Sequence, residues 1–262
     1  MLDTGDKRIL LELKDHVATL TLMRPEKLNA LDMDMVLALE RAAALIEAER
    51  DIRVAILTGT GDKSFCAGGD IEAWASHSAL DFGRAWIRYG HRAFDALARL
   101  RQPLIAVLNG HVLGGGLELA AVADLRIAEE HIKVGAPETG LGIIPGWSGT
   151  QRVARRFGAQ LTRRMALFGE IFSASEALAL GIVDEVAAKG QGMASAQEYV
   201  DLVVARGPVA LELTKALINA AEGEETERPL EAIAGALAAS TEDLKEGVAA
   251  FRAKRKPNFK NE

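Results

Sequence analysis

The chain has 262 residues, 49% of them apolar and 26% charged, with a formal net charge of −6 and an isoelectric point near 5.5. That balance fits a globular protein with a substantial core, and its acidic sign argues against general binding of nucleic acid or other polyanions. The single cysteine, Cys66, excludes an intrachain disulfide and suits a reducing compartment.

The first sixteen residues carry early acidic side chains, no long apolar run and little arginine or serine, so neither a signal peptide nor a transit sequence is read there. Residues 9–13 and 17–22 are apolar runs around Lys14-Asp15-His16 and predict a β-hairpin. Residues 34–50 carry Met35, Leu37, Leu39, Ala42, Leu45 and Ile46 at helical spacing. Residues 54–57 read as a short buried strand ended by the turn cluster at 58–62, and a helix is expected over about 79–101, stopped before Pro103. Residues 104–108 and 125–128 read as further strands. The stretch 104–125 is the most apolar of the chain, but Asn109, His111, four glycines, Glu118 and Asp124 make it too polar to span a membrane.

Strands separated by helices imply right-handed crossovers and a parallel sheet, hence an α/β class. Beyond residue 148 helix follows helix, at 150–157, 160–167, 174–180 and nearly everything from 194, interrupted by a strand expected at 182–186. The domain reading is an αβ core over residues 1–195 and a helical C-terminal region over 196–262. The basic tail, with Arg252, Lys254, Arg255, Lys256 and Lys260, either frays or docks.

The chemistry concentrates in two carboxylates 20 residues apart in sequence, Glu118 and Glu138. Glu118 follows the triplet Gly114-Gly115-Gly116. A helix starting there would leave the Gly115 amide as an orphan donor and carry Glu118 three residues on, along the same face. Helix starts favour developing negative charge. The glycines could equally serve helix–sheet packing, with Glu118 accepting from a first-turn amide. Glu138 sits in a Gly/Pro-rich loop among Val134, Ile143, Ile144 and Pro145, and partial burial beside a second carboxylate would raise its pKa. Donors for an oxyanion beside two acid–base groups point to an enzyme that makes and protonates an enolate.

A second small-residue turn, Ser64-Phe65-Cys66-Ala67-Gly68-Gly69-Asp70, offers further amides, or simply an N-cap at Asp70. Cys66, between Phe65 and Ala67, reads as a buried thiol rather than a nucleophile. His16, His77, His91, His111 and His131 show no metal-ligand spacing, so no metal is expected. The glycine triplet belongs to neither a G-x-G-x-x-G fingerprint nor a Walker A loop.

These motifs resemble the crotonase (enoyl-CoA hydratase/isomerase) superfamily along essentially the whole chain. Residues 24–31 (RPEKLNAL), 65–71 (FCAGGDI), 109–120 followed by Asp124, 138–152 with Ile144-Pro145-Gly146, and 246–257 match its five signatures in order. The resemblance implies the spiral fold of ββα units with a helical C-terminal trimerisation region, in homotrimers or dimers of trimers. It also implies a cytoplasmic enoyl-CoA hydratase of fatty-acid β-oxidation type acting on an acyl-CoA, with no separate cofactor because CoA is part of the substrate thioester. By position, Gly69 and Gly115 would form the oxyanion hole, and Glu118 and Glu138 the acid–base pair. Lys27, Ala30, Ala67, Asp70, Ile71, Gly146, Phe251 and Lys254 would contact substrate or CoA. An isomerase or another acyl-CoA enolate enzyme is the alternative within the fold. A non-catalytic RNA-binding or scaffolding member is opposed by the acidic charge and the retained glutamate pair. Three positions depart from the common hydratase pattern: Gly69 replaces an alanine, Glu72 a lysine, and Trp147-Ser148 an Ala-Gly pair.

Overall fold

A computed structural model describes residues 1–225, 233–235, 237–260 and 262. The hairpin forms as expected, from β1 (Ile9–Lys14) and β2 (Val17–Leu22). Helix α1 (Met33–Ala48) follows, its first turn capped by Asp32, whose carboxylate accepts from the Met35 amide. Next come β3 (Val54–Gly59), β4 (Ser64–Cys66) and the one-turn helix α2 (Ile71–Trp74). The segments α3 (Ala79–Asp81), a π-helical turn (Phe82–Ile87) and α4 (Arg88–Ala98) then succeed one another without a break.

Two strand–strand–helix passages lead through the site. The first is β5 (Leu104–Leu108), β6 (His111–Leu113) and α5 (Gly115–Ala120). The second is β7 (Leu125–Glu129), β8 (Lys133–Gly135) and a 3-10 turn at Glu138–Leu141. Helices α6 (Arg152–Phe157) and α7 (Ala159–Phe168), strand β9 (Ile171–Ser173), helix α8 (Ala174–Ala179) and strand β10 (Glu185–Ala187) close the sheets. Helices α9 (Gly192–Val204), α10 (Pro208–Ala221) and α11 (Glu242–Arg252) follow.

The strands sort into a six-stranded sheet, β1-β2-β3-β5-β7-β10, and a four-stranded sheet, β4-β6-β8-β9. Each of β3, β5 and β7 in the large sheet is followed by β4, β6 or β8 in the small one. Successive ββα passages thus advance both sheets by one strand, which is the spiral. All pairings are parallel except β1 with β2 and β8 with β9.

The large sheet is buried on both faces, so its central strands read as continuous apolar runs. Val54, Ile56, Ile105, Val107 and Ile127 face Ala196 and Val200 of α9. The alternate residues Ala55, Leu57, Leu104, Ala106 and Ala128 face the main core with Leu39, Ile46, Phe94 and Leu97. One strand departs from expectation. Residues 182–184 do not join the sheet, and the strand begins at Glu185. There the Arg126 amide donates to the Asp184 carboxylate, and the Arg126 guanidinium bonds both the Ile182 carbonyl and that carboxylate. The loop is fixed by this buried arginine and by a backbone bond from the Asp184 amide to the Arg126 carbonyl.

By Cα packing the chain divides into one unit at Met1–Leu213 and a second at Thr214–Glu262. Within the second unit the basic tail folds back along α11. Arg255 pairs with Glu246, which also accepts from the Asn258 amide, and Asp243 accepts from the Lys260 amide. These partners hold the Glu246 carboxyl down at about 2. No helix among the described residues is long and apolar enough to cross a membrane.

Candidate active site

The small sheet delivers two chain reversals to one place. Leaving β6, the backbone at Gly114 adopts φ +56° and ψ −125°, a conformation that favours glycine. Helix α5 starts immediately after, with all six of its residues buried. Leaving β4, the chain forms a bridge with Leu31. The Leu31 amide donates to the Gly68 carbonyl and the Asp70 amide donates to the Leu31 carbonyl, so the Gly69 N–H faces away from the bridge. Among the described residues the amides of Gly69 and Gly115 have no acceptor, and both glycines line one cavity of about 90 Å³. The first-turn position and the strand-exit position expected from sequence therefore meet.

Glu118 and Glu138 line the same cavity. Glu118 is 4% exposed, and its Oε1 accepts from the Trp147 amide at 2.7 Å and the Gly149 amide at 2.6 Å. It does not accept from its own first turn; its partners are the amides of the 147–149 loop. Glu138 is 7% exposed, and neither carboxylate oxygen has a hydrogen-bond partner among the described residues. Burial, then the neighbouring Glu138 charge, push Glu118 up to about 8, while burial raises Glu138. The two titrate as a pair holding one proton between them near neutrality. Two amide donors support negative charge on Glu118. No amide of another residue supports it on Glu138, whose oxygens have no hydrogen-bond partner among the described residues, which favours the shared proton there.

The loop that holds Glu118 is itself held. Ser148 has φ +79°, and its hydroxyl bonds His91 Nδ1 at 3.1 Å. Arg152, 1% exposed, pairs with Asp95 at 2.6 Å and lends positive potential to Glu118. Asn29, fully buried, ties Thr60 and Ser64 carbonyls to the Arg24 amide, fixing the approach to β4.

The remaining sequence candidates fall as follows. Ala67, Ile71 and Gly146 line the cavity. Asp70 caps α2 through the Glu72 amide and pairs with Arg24 at 2.8 Å, so its carboxylate is committed to structure. Ala30 offers its carbonyl to the Arg24 guanidinium. Lys27 is paired with Glu72 at 2.5 Å in an exposed position. Phe251 and Lys254 lie exposed at the end of α11, in the second unit. Cys66 is fully buried with its thiol pushed up to about 12, which leaves no thiolate near neutrality. His111 accepts from the Lys133 amide and staples β6 to β8.

The sequence reading missed the aromatic wall. All three tryptophans of the chain, Trp74, Trp86 and Trp147, line the cavity together with Phe82. Trp86 and Trp147 have ring centroids 5.0 Å apart, Phe94 meets Trp147 edge-on at 5.2 Å, and Trp74 meets Phe82 at 5.7 Å. The sequence singles out Trp147 as a departure from the hydratase pattern, but nothing in it couples that residue to Trp74, Trp86 and Phe82.

Fold and site together define a crotonase-fold α/β enzyme. The crystal structure of enoyl-CoA hydratase from Bacillus anthracis superposes with a TM-score of 0.80 at 33% identity, covering 98% of this chain and 100% of that one. A family model described as enoyl-CoA hydratase/isomerase matches residues 12–262, and the chain belongs to that family. It is 36% identical to crotonyl-CoA hydratase of Syntrophomonas wolfei over 97% of this chain and 98% of that protein. It is 38% identical to the short-chain-enoyl-CoA hydratase of Clostridium acetobutylicum, with the same coverage.

Proposed function

We propose that this enzyme hydrates a short trans-2-enoyl-CoA to the 3-hydroxyacyl-CoA. The observation that carries the reading is the pair of buried carboxylates in unlike environments, one bonded by two amides and one by none, beside two unengaged amides. The hydratase names of the relatives support the same choice.

In this mechanism the thioester oxygen accepts from the Gly69 and Gly115 amides, which polarise the conjugated C2–C3 bond toward attack at C3. Water lies between the two carboxylates. Glu118 takes its proton as the oxygen bonds to C3, and the electron pair of the double bond moves into an enolate whose oxygen rests on the two amides. Glu138 gives its proton to C2. Proton transfer from Glu118 to Glu138 then restores the pair. Each fixed amide donor is worth about 10²–10³ in rate.

The reading expects purified protein to consume the absorbance of the conjugated thioester of crotonyl-CoA and yield 3-hydroxybutyryl-CoA. Unchanged crotonyl-CoA in the presence of active-site-competent, CoA-binding protein would remove it. Homotrimers or dimers of trimers, with Phe251 and Lys254 meeting the CoA nucleotide, belong to the same proposal.

Lys27 supplies a further prediction. Its ammonium is shared with Glu72, at a position where the resemblance to hydratases leads one to expect a lysine, so the acidic partner competes with a CoA phosphate. Exposed pairs are weak, so Glu72→Gln is expected to lower KM for crotonyl-CoA by about 2- to 5-fold with kcat unchanged. Steady-state kinetics at low salt check this; an unchanged KM would mean that Lys27 does not meet the phosphates.

A further inference from the structure

Two of the three departures from the common hydratase pattern, Gly69 and Trp147, meet at one ring. The indole of Trp147 lies against both amide-donating glycines. A Cβ on Gly115 would sit 3.1 Å from its Cε3 and Cζ3, and one on Gly69 would sit 3.5 Å from its Cη2. The indole N–H donates to the Trp86 carbonyl at 3.1 Å, and the ring is wedged between Trp86 and Phe94. It is 3% exposed, so it is a fixed part of the wall.

Other residues have yielded to it. A Cβ at position 90 would lie 2.0 Å from the Trp147 Nε1, an overlap with a ring that is bonded and cannot swing away. Gly90 sits inside α4, where glycine costs stability relative to alanine, and the indole explains its presence. At position 69 an alanine Cβ would meet Trp86 Cζ2 at 2.7 Å. Glycine there is therefore the partner of Trp86, which the π-helical turn at Phe82–Ile87 presents to the cavity with Phe82 and Ile87. Such turns re-aim side chains at functional sites.

Resting on the acyl-CoA reading above, we infer that Trp147, backed by Trp86 and admitted by Gly90 and Gly69, is the end wall of the acyl pocket and restricts the enzyme to short enoyl chains. The walls leave about 90 Å³ beside the glutamates and amides. On this side the space is bounded by a ring that is bonded and close-packed, so an acyl chain growing toward it meets the indole. A decenoyl tail or a phenyl ring would have to displace the indole from a bonded, close-packed seat.

The test measures binding and turnover on wild type, Trp147→Ala and Trp147→Phe. Calorimetry with butyryl-CoA and decanoyl-CoA reads the pocket without chemistry; kcat/KM with crotonyl-CoA, trans-2-decenoyl-CoA and cinnamoyl-CoA reads it with chemistry. Wild type is expected to favour the four-carbon ligand by about tenfold or more in both measurements, with Trp147→Ala shifting that ratio by about tenfold or more toward ten carbons. Trp147→Phe, which keeps a ring in the seat, is expected to shift it the same way by less, and it carries the test if the alanine variant does not fold. A wild type that takes ten carbons or cinnamoyl-CoA as well as four overturns the inference. So does a folded variant that keeps the wild-type ratio. Chain-length discrimination in binding without turnover of any enoyl-CoA would sink the hydratase reading while leaving the wall in place.

Discussion

Glu138→Gln is expected to lower kcat for hydration by about 10²–10⁴-fold, the usual worth of a positioned general acid, with KM changed little. Glutamine keeps the shape of the side chain and adds no charge, so the 3-10 turn at Glu138–Leu141 and the cavity wall persist. What it loses is the transferable proton. The wild-type environment fits the role of acid: Glu138 is buried and its two oxygens have no partner among the described residues, so its neutral form is favoured. Binding of butyryl-CoA by the variant separates lost chemistry from lost structure. Turnover at the wild-type rate would remove Glu138 from the mechanism.

Glu118→Gln is expected to be as damaging to kcat and to change the pH dependence of both rate and stability. In the wild type the pair loses its remaining shared proton as pH passes about 8, so hydration should fall above that value. Stability runs the same way. The glutamate pair holds a proton more tightly when folded than free carboxylates at 4.5 do, so the folded chain binds more protons than the unfolded one between 4.5 and about 8. Unfolding free energy therefore declines as pH rises through that window and stays lower above it. Glutamine still accepts the Trp147 and Gly149 amides but carries no charge into the core. The variant should melt at least ~2–4 °C above wild type at pH 8.5, about 1 kcal/mol for a chain of this size, with the gap closing near pH 4.5. A gap that is constant across pH would mean that Glu118 is not the buried charge.

Much of this site was legible because it is written in contiguous motifs. Gly114-Gly115-Gly116 with Glu118 three residues later is local geometry, and the turn at Gly68-Gly69 carries its own small-residue mark. The large sheet was legible too, since strands buried on both faces are continuous apolar runs. The small sheet was not. Strands β4, β6, β8 and β9 have three residues each, too few for a period to register, and β4 and β6 hand directly to glycine turns. Residues 182–186 misled for the opposite reason. Ile182 and Val183 are buried and apolar as a strand would be, yet the side chain and amide of Arg126, 56 positions earlier, hold that loop. The aromatic wall depends on contacts between positions 69, 74, 86, 90 and 147, and no local pattern couples them. Resemblance to relatives exposed Gly69 and Trp147 as separate oddities, and only the packing joined them.

The most direct test of the central claim is hydration of crotonyl-CoA in water enriched in both deuterium and oxygen-18, with the product resolved by mass spectrometry. The account predicts 3-hydroxybutyryl-CoA carrying one solvent oxygen at C3 and one solvent hydrogen at C2, in equal amounts and on the same molecules. Solvent hydrogen taken up by recovered enoyl-CoA, without any solvent oxygen, would contradict it and make the glutamate pair a proton-shifting device.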